Sequence, residues 1–247
     1  MQKISVINQM KNFFFILLSS VSFVTYSQKE VVLNYRKFDK KVLNFGFMLG
    51  FNTTNFNTYQ KLTAYQDYQL LSVIPSATVG GQLGIVTTLK IGTPVVRLRF
   101  LPTLSFQERV LDYTFLVDNG NGPEKEISQE RVNSTNLDFP LMFQFRTLRI
   151  NNFAAYVLVG GQYSYDLQSQ EDASQSLTDP FVKIKRNDIS GQVGGGLEFF
   201  APYFKFGIEL KYSHSIYNSL IQDNSPVSRP IQSLYNRGWW ISFIFEG

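Results

Sequence analysis

The stretch Leu137-Asp138-Phe139-Pro140-Leu141-Met142-Phe143-Gln144-Phe145 alternates large apolar residues with smaller or more polar ones. Its odd positions are all leucine or phenylalanine, whereas its even positions include aspartate and glutamine. A period of two residues is typical of a β-strand with one apolar face and one wetter face. Similar alternation recurs along most of the chain, with charges and glycines on the wetter face. This pattern predicts a closed barrel whose apolar face meets lipid.

The composition of the 247-residue chain is compatible with one all-β domain of this kind. Aromatic residues make up 15% of the chain and charged residues only 17%. The chain has no cysteine, which excludes disulfides and thiolate metal sites. The formal net charge is +4, and residues 1–27 hold two lysines and no acid, so the remainder carries +4 − 2 = +2. Such a balanced charge argues against nucleic acid as a partner.

Residues 1–27 have the layout of a secretory signal peptide. Lys3 and Lys11 precede the apolar run 13–24, and small residues lead to a predicted cleavage between Ser27 and Gln28. Met10 offers an alternative start, and a buried N-terminal helix is the alternative to a signal peptide. The run is too short to span a membrane comfortably as a helix. Together with the barrel pattern, this layout predicts an exported protein in the outer membrane of a Gram-negative cell.

The mature chain divides into a short lead-in and a barrel. Residues 28–41 are polar and basic, and we interpret them as a periplasmic N-terminal segment. A solvated tail is the expected state of this segment, with partner binding as the alternative. Residues 42–247 are predicted to form an eight-stranded antiparallel up-and-down transmembrane β-barrel. Its predicted strands are 43–51, 76–89, 95–107, 137–145, 153–167, 189–199, 203–216 and 238–245.

The connections between the predicted strands alternate between long and short. Four connections are long and polar, and they are 52–75, 108–133, 168–187 and 217–237. The connections between them are short turns rich in glycine, proline and asparagine. Outer-membrane barrels have short turns in the periplasm and long loops outside the cell. The chain therefore has the loop asymmetry of an outer-membrane barrel.

The alternation places a set of charged side chains on the inner face of the predicted barrel. The set consists of Arg97, Arg99, Asp138, Asp166, Glu198, Lys205, Glu209 and Lys211. Eight strands enclose little more than their own side chains, and a buried charge is costly unless it is paired. We therefore expect these charges to pair as a polar plug that locks the barrel. A narrow conduit or proton path is the functional alternative.

The sequence contains no pattern that points to catalysis or to a cofactor. His214 is the single histidine, and the alternation places it on the outer face, where an interfacial girdle residue is expected. The run Gly194-Gly195-Gly196 lies inside a predicted strand and precedes no helical pattern, so it does not predict a phosphate-binding loop. We expect no cofactor, no metal site and no enzymatic activity.

Four stretches are more specific than the alternation alone. They are LRFLP at 98–102, STNLDFPL at 134–141, GGQYSYDL at 160–167 and GGGLEFFAPYFKF at 194–206. Together with the first strand they resemble the PorT family, small outer-membrane barrels of the type IX protein secretion system, over most of residues 42–245. The resemblance implies a non-enzymatic accessory or assembly role in moving cargo proteins across the outer membrane. It also implies other secretion-system membrane proteins as partners, in addition to outer-membrane lipid.

The pattern of strands and loops does not by itself select the secretion role. A small barrel of this kind is also compatible with a structural anchor, an adhesin or receptor, or a porin-like protein.

Overall fold

A computed structural model of the chain describes residues 33–35, 37–61, 63, 65, 69–118, 120, 122–171, 181–223 and 225–247. The predicted signal peptide at 1–27 and the start of the predicted periplasmic segment, 28–32, lie outside the described residues. Asn34–Gly247 form one compact unit. In the described part of the chain, no helix is long and apolar enough to cross a membrane.

The unit is a short helix followed by a closed antiparallel sheet. The helix is α1 (Lys37–Lys40). The strands are β1 (Leu43–Gln60), β2 (Leu70–Lys90), β3 (Val96–Phe100), β4 (Thr103–Asp118), β5 (Pro123–Arg146), β6 (Phe153–Asp166), β7 (Asn187–Phe200), β8 (Lys205–Ser215) and β9 (Ile231–Glu246). Neighbouring strands pair antiparallel around the sheet, and β1 pairs with both β2 and β9. The sheet is therefore a closed ring, and the predicted up-and-down barrel is confirmed.

Strands β3 and β4 are two halves of one barrel strand. Both lie between β2 and β5, and the interruption falls at Leu101 and Pro102. Proline has no N–H to donate to the ladder, so a break at this position is expected. The Pro102 carbonyl oxygen still accepts a hydrogen bond from the Ile85 N–H at 3.0 Å. Counted in this way, the barrel has the predicted eight strands.

The barrel has its apolar side chains outside and its polar side chains inside. On β1, Phe45, Phe47 and Phe51 are each more than half exposed, whereas Asn44 and Asn52 are buried. The other strands repeat this distribution, with glutamines, serines and charged residues buried in the lumen. Soluble proteins rarely expose so large an apolar surface. The outer wall is therefore suited to lipid, as the alternation predicts.

The predicted ends of several strands and loops are wrong. The predicted loops 52–75, 108–133 and 217–237 are too long, because β1 continues to Gln60, β2 begins at Leu70 and β9 begins at Ile231. Part of the predicted loop 168–187, residues 172–180, lies outside the described residues. The strands continue beyond the membrane-facing band, where both of their faces meet water or other loops. In that region the apolar side chains of β1, β2, β4 and β9 face the loops and not lipid, and β5 is exposed from Pro123 to Gln129, so the alternation of a lipid-facing wall is lost.

The region predicted as the loop 108–133 is mostly a β-hairpin. Strands β4 and β5 pair without interruption from Glu108↔Asn133 to Asp118↔Pro123. The tip contains Gly120 and Gly122, whose φ angles of 84° and 117° favour glycine. At about 3.3 Å per residue, the paired extension is on the order of 30 Å long.

The loops at the long-loop end fold over the barrel as a cap. Ile184 and Leu220 form a β-bridge between two of these loops. The Tyr113 hydroxyl donates a hydrogen bond to the Val227 carbonyl oxygen at 2.7 Å. The buried apolar cluster of the cap consists of Phe56, Leu70, Val73, Leu111, Tyr113, Val182, Ile184, Leu220, Val227, Ile231 and Leu234. The lumen is therefore covered at this end by an apolar core.

A turn in the last of these loops is stabilised by Asp223. Its Oδ1 accepts hydrogen bonds from the Ser225 N–H at 3.0 Å and the Ser225 hydroxyl at 2.6 Å, and also from the Ser228 hydroxyl. Burial alone would raise the pKa of the Asp223 carboxyl, but the hydrogen bonds from the two serines outweigh it. The pKa of Asp223 therefore lies below its ordinary value.

Candidate functional site

All eight charges of the predicted inward set lie inside the barrel. None of them is more than 5% exposed, and they are Arg97, Arg99, Asp138, Asp166, Glu198, Lys205, Glu209 and Lys211. They do not form one group, because the structure divides them between a cluster towards the short-turn end and a polar layer towards the long-loop end.

Arg99 on β3 is the centre of the charge cluster towards the short-turn end. Its Nη1 donates to Glu209 Oε2 at 2.6 Å, and its Nη2 donates to Gln144 Oε1 at 3.1 Å. Nη2 also lies 3.8 Å from a carboxylate oxygen of Glu198 and from one of Glu246. One guanidinium thus joins carboxylates from three other strands.

Two lysines of β8 also belong to the charge cluster. Lys205 Nζ donates to Glu198 Oε1 at 2.7 Å and forms an ion pair with Glu246. Lys211 Nζ lies 3.0 Å from Glu209 Oε1. Each of the three glutamates therefore contacts at least two cations, which offsets part of the cost of burying them.

Asp138 and Asp166 lie in the polar layer instead. Asp138 Oδ2 accepts a hydrogen bond from the Ser105 hydroxyl at 2.6 Å. Asp166 Oδ1 accepts one from the Gln168 N–H at 2.9 Å. Within the described residues, neither carboxylate lies within ion-pair distance of a cation.

Arg109 is the buried cation of the polar layer, and it is not among the predicted inward charges. Its guanidinium donates to Asn236 Oδ1 and to the Ser134 hydroxyl, and its Cζ lies 4.9 Å from the centre of the Phe56 ring. Arg109 lies within the region predicted as a loop, so the prediction did not assign it an inner face. The polar side chains around it, which include Asp188 and Gln162, leave a cavity of only about 30 Å³.

The alternation could have found two further members of the charge cluster. Arg146 is the next inward position after Gln144, and its Nε lies 3.4 Å from Glu198 Oε2. Glu246 is the next inward position after Ile244, and its Oε1 accepts a hydrogen bond from the Thr88 hydroxyl at 2.5 Å. Both were missed because the predicted strands end one residue too early.

The N-terminal segment enters the short-turn end of the barrel, so its described part is not the solvated tail that we expected. Phe38 of α1 is fully buried, and its ring packs edge-on against the Phe200 ring with centroids 5.6 Å apart. Two cations of the lumen face the same ring, with Arg97 Cζ at 4.5 Å and Lys205 Nζ at 4.4 Å from its centre. Such cation–π contacts are favourable when the cation is desolvated.

Asp39 adds a carboxylate beside this ring. Its Oδ1 accepts a hydrogen bond from Arg146 Nη2 at 2.9 Å and lies 3.7 Å from Arg97 Nη2. Its Oδ2 lies 3.3 Å from Arg149 Nη1, in the turn between β5 and β6. The short-turn end is therefore closed by one aromatic ring and one carboxylate from the lead-in. No local pattern in the sequence indicates this long-range contact.

The remaining residues considered for chemistry have structural surroundings. His214 lies on the outer wall near the long-loop end, with its ring centre 6.0 Å from that of Tyr235 and 6.5 Å from that of Tyr212. Such aromatic clusters are typical of the membrane interface. In the described part of the chain, no three histidine, aspartate or glutamate side chains are grouped to hold a metal ion.

Gly196, in the glycine run of β7, leaves room for the ring of Tyr156 to lie against this strand. A Cβ on Gly196 would lie 2.4 Å from the Tyr156 hydroxyl oxygen, so only glycine leaves room for that ring. The Tyr156 hydroxyl in turn donates to Glu209 Oε2 at 2.8 Å. The run therefore supports the charge cluster.

Comparisons with known proteins place this geometry in a family. No curated protein matches the chain. The solved structure of the outer membrane protein OprG from Pseudomonas aeruginosa is similar, with 14% identity, a TM-score of 0.46, and coverage of 83% of this chain and 95% of that one. The attachment invasion locus protein Ail of Yersinia pestis is also similar, with 10% identity, a TM-score of 0.37, and coverage of 84% and 100%. The family described as "Outer membrane protein beta-barrel domain" matches residues 26–220, and the chain belongs to this family.

Proposed function

We propose that this outer-membrane barrel acts through the surface it presents outside the membrane, as a receptor or adhesin carried by a closed barrel. The observation that carries the proposal is the β4–β5 hairpin, which extends the ladder from Glu108↔Asn133 to Asp118↔Pro123. A membrane strand needs only about 9–11 residues, whereas β5 has 24. More than half of β5 is therefore available for a role outside the lipid.

The hairpin has the exposure and charge of a recognition surface. From Pro123 to Gln129 every residue of β5 is exposed, so both faces of the strand are accessible. Acidic side chains outnumber the exposed basic ones, Lys125 and Arg131, between 108 and 131. Complementary charge steers partners towards a surface, so a partner with a basic contact surface is favoured.

The interior supports a role at the surface over a porin-like role. The charge cluster, the apolar cap and the docked Phe38 all occupy the path through the barrel. An eight-stranded barrel has little space beyond its own side chains. These features favour an anchor for an external binding surface.

Shortening the hairpin tests the proposal. Phe115, the last residue of β4 that pairs with β2, faces Glu126 across the hairpin ladder, so residues 116–125 can be replaced by an Asn-Gly turn while Tyr113 of the cap is kept. The matched control replaces only 119–122 by the same turn and keeps the paired strands. Cells with the shortened hairpin should attach to surfaces and to sister cells as poorly as a deletion strain, and the control should attach like the parent. Equal attachment by all strains would reject the external role.

A second candidate is an accessory or assembly role in type IX secretion. It is favoured by the resemblance of 134–141, 160–167 and 194–206 to the PorT family. Because the lumen is too narrow for a protein, the barrel would act through its wall or its short-turn end on other secretion-system membrane proteins. A deletion strain should then retain cargo in the periplasm, whereas the hairpin variant should export it normally. Normal cargo levels outside the deletion strain would reject this candidate.

We also propose that the chain is exported by cleavage of residues 1–27. The layout of charges, apolar run and small residues supports this processing. Sequencing of the N-terminus of protein purified from outer membranes should begin at Gln28. An uncleaved N-terminus would contradict the proposal.

A further inference from the structure

We propose that the short-turn end of the barrel is a binding site for a peptide with an aromatic side chain followed by a carboxylate, and that residues 34–41 are its resident, displaceable ligand. The site, which we call the socket, is formed by Arg97, Arg146, Arg149, Ala154, Phe200 and Lys205. This inference is independent of the external role, because it concerns the opposite end of the barrel.

The socket holds an aromatic ring by three contacts that the barrel supplies. Phe200 packs edge-on against the Phe38 ring, and the cations of Arg97 and Lys205 lie 4.5 and 4.4 Å from its centre. Ala154, which is 1% exposed, completes the apolar wall. These groups belong to β3, β6, β7 and β8, so any aromatic ring that enters the socket meets the same surface.

The socket also selects for a carboxylate beside the ring. Arg146, Arg149 and Arg97 all approach the Asp39 carboxylate, from 2.9 to 3.7 Å. The planar guanidinium group of arginine can donate two parallel hydrogen bonds to a carboxylate. Nε and Nη1 of Arg97 have no hydrogen-bond partner among the described residues, although this side chain is 1% exposed. A buried guanidinium whose N–H groups lack hydrogen-bond partners favours a ligand that supplies hydrogen-bond acceptors.

The resident segment is suited to exchange because the barrel does not depend on it for strand pairing. Strand β1 begins at Leu43, and it pairs with β2 from Leu43 to Thr54 and with β9 from Gly46 to Gln60. The segment is held chiefly by side-chain contacts and by hydrogen bonds such as Asn34 N–H to Asn152 Oδ1 at 2.8 Å. The Asp39 side chain is 32% exposed, whereas the three arginines that it contacts are at most 7% exposed, so solvent reaches the resident carboxylate and the arginines become accessible when it leaves.

The chain has no cysteine, so a single introduced thiol can report on the socket. In Ala154→Cys protein reconstituted in nanodiscs, the resident Phe38 should protect the thiol from a water-soluble maleimide. Adding Phe38→Ala and Asp39→Asn should raise the labelling rate at least about tenfold, because the resident ligand no longer fits. The synthetic peptide NYRKFDKK, which copies residues 34–41, should then restore protection in the double variant.

Control peptides and a control variant distinguish specific recognition by the socket from nonspecific coverage of the thiol. The peptide NYRKADKK lacks the ring and NYRKFNKK lacks the carboxylate, and neither should protect the thiol. Lys40→Ala, at an exposed position of the same helix, should leave the resident segment bound and the thiol protected. The peptide should have little effect on protein with its own segment, which acts at an effective concentration of about millimolar.

Three results would overturn the proposal. Labelling of the double variant that the copied peptide does not slow would mean that the socket binds no peptide in trans. Equal protection by all three peptides would mean that it does not recognise the ring and the carboxylate. Loss of heat-modifiable gel mobility in both the double variant and Asp39→Asn alone would mean that residues 34–41 are part of the folded barrel, not a ligand of it.

Discussion

Replacing Arg99 by methionine tests the charge cluster most directly. The substitution removes the guanidinium group, which lies 2.6 Å from Glu209 and 3.8 Å from both Glu198 and Glu246. Removing one member of a buried ion pair costs about 3–5 kcal/mol, because the remaining charge is left uncompensated. Lys205 and Lys211 still contact the three glutamates. We therefore expect the lower end of that range, about 3 kcal/mol of unfolding free energy.

The matched control is Arg131→Met on the exposed hairpin. Arg131 Nη1 lies 3.2 Å from Glu108 Oε1, but the arginine side chain is 62% exposed. An exposed ion pair is worth about 0–1 kcal/mol. Both variants exchange the same residue types and both remove an ion pair, so they differ chiefly in burial.

Urea unfolding of the barrel in lipid vesicles measures the unfolding free energy of both variants. Heat-modifiable gel mobility and the fluorescence of Trp239 and Trp240 report the folded fraction. The midpoint of Arg99→Met should fall well below that of the parent, and the midpoint of Arg131→Met should stay close to it. A difference of less than about 1 kcal/mol between the two variants would refute the reasoning from burial.

Three further predictions concern packing, pH and conductance. Gly196→Ala brings a Cβ within 2.4 Å of Tyr156 and should lower the unfolding free energy by about 1–3 kcal/mol in the same assay. Gly191→Ala has open space around the new Cβ and should change the unfolding free energy by less than about 0.5 kcal/mol. Equal losses in the two variants would contradict the packing argument. Because the pKa of Asp223 lies below its ordinary 3.8, its carboxylate stabilises the turn above that pH, and this stabilisation is lost as pH falls through the lower folded value. The protection of the Ser225 amide, measured as its intrinsic exchange rate divided by its observed rate at the same pH, should therefore fall below that range relative to pH 7, and unchanged protection would count against it. In planar bilayers the barrel should show no steady conductance, and large stable channels would favour a porin-like protein.

The sequence predicts the faces of the strands well and their ends poorly. Each inward residue from Arg97 to Lys211 follows from local alternation, which a lipid-facing wall imposes on every strand. That constraint disappears outside the lipid, so the polar ladder of β5 between 123 and 131 resembles a loop in the sequence. Arg109 was missed for the same reason.

The contact between the lead-in and the barrel could not be predicted in this way. Phe38 and Asp39 lie in a short polar and basic stretch, and their partners Phe200 and Arg146 are more than a hundred residues away in the chain. Periodicity describes which face a residue occupies within its own element. It carries no information about which distant surface an irregular segment meets.

The pairing of β1 with β9 has a consequence for how the barrel assembles. This seam joins the two ends of the barrel, from Gly46↔Glu246 onwards, and contacts of such long sequence separation form late and slowly in folding. Glu246, the last residue of β9, lies opposite Lys205 in the β8–β9 ladder, whereas Arg99 reaches it from β3 across the lumen. An open sheet would leave Arg99 far from Glu198, Glu209 and Glu246, so ring closure and neutralisation of this buried arginine are a single event. Half-closed intermediates are thereby disfavoured, and insertion of this barrel should be cooperative.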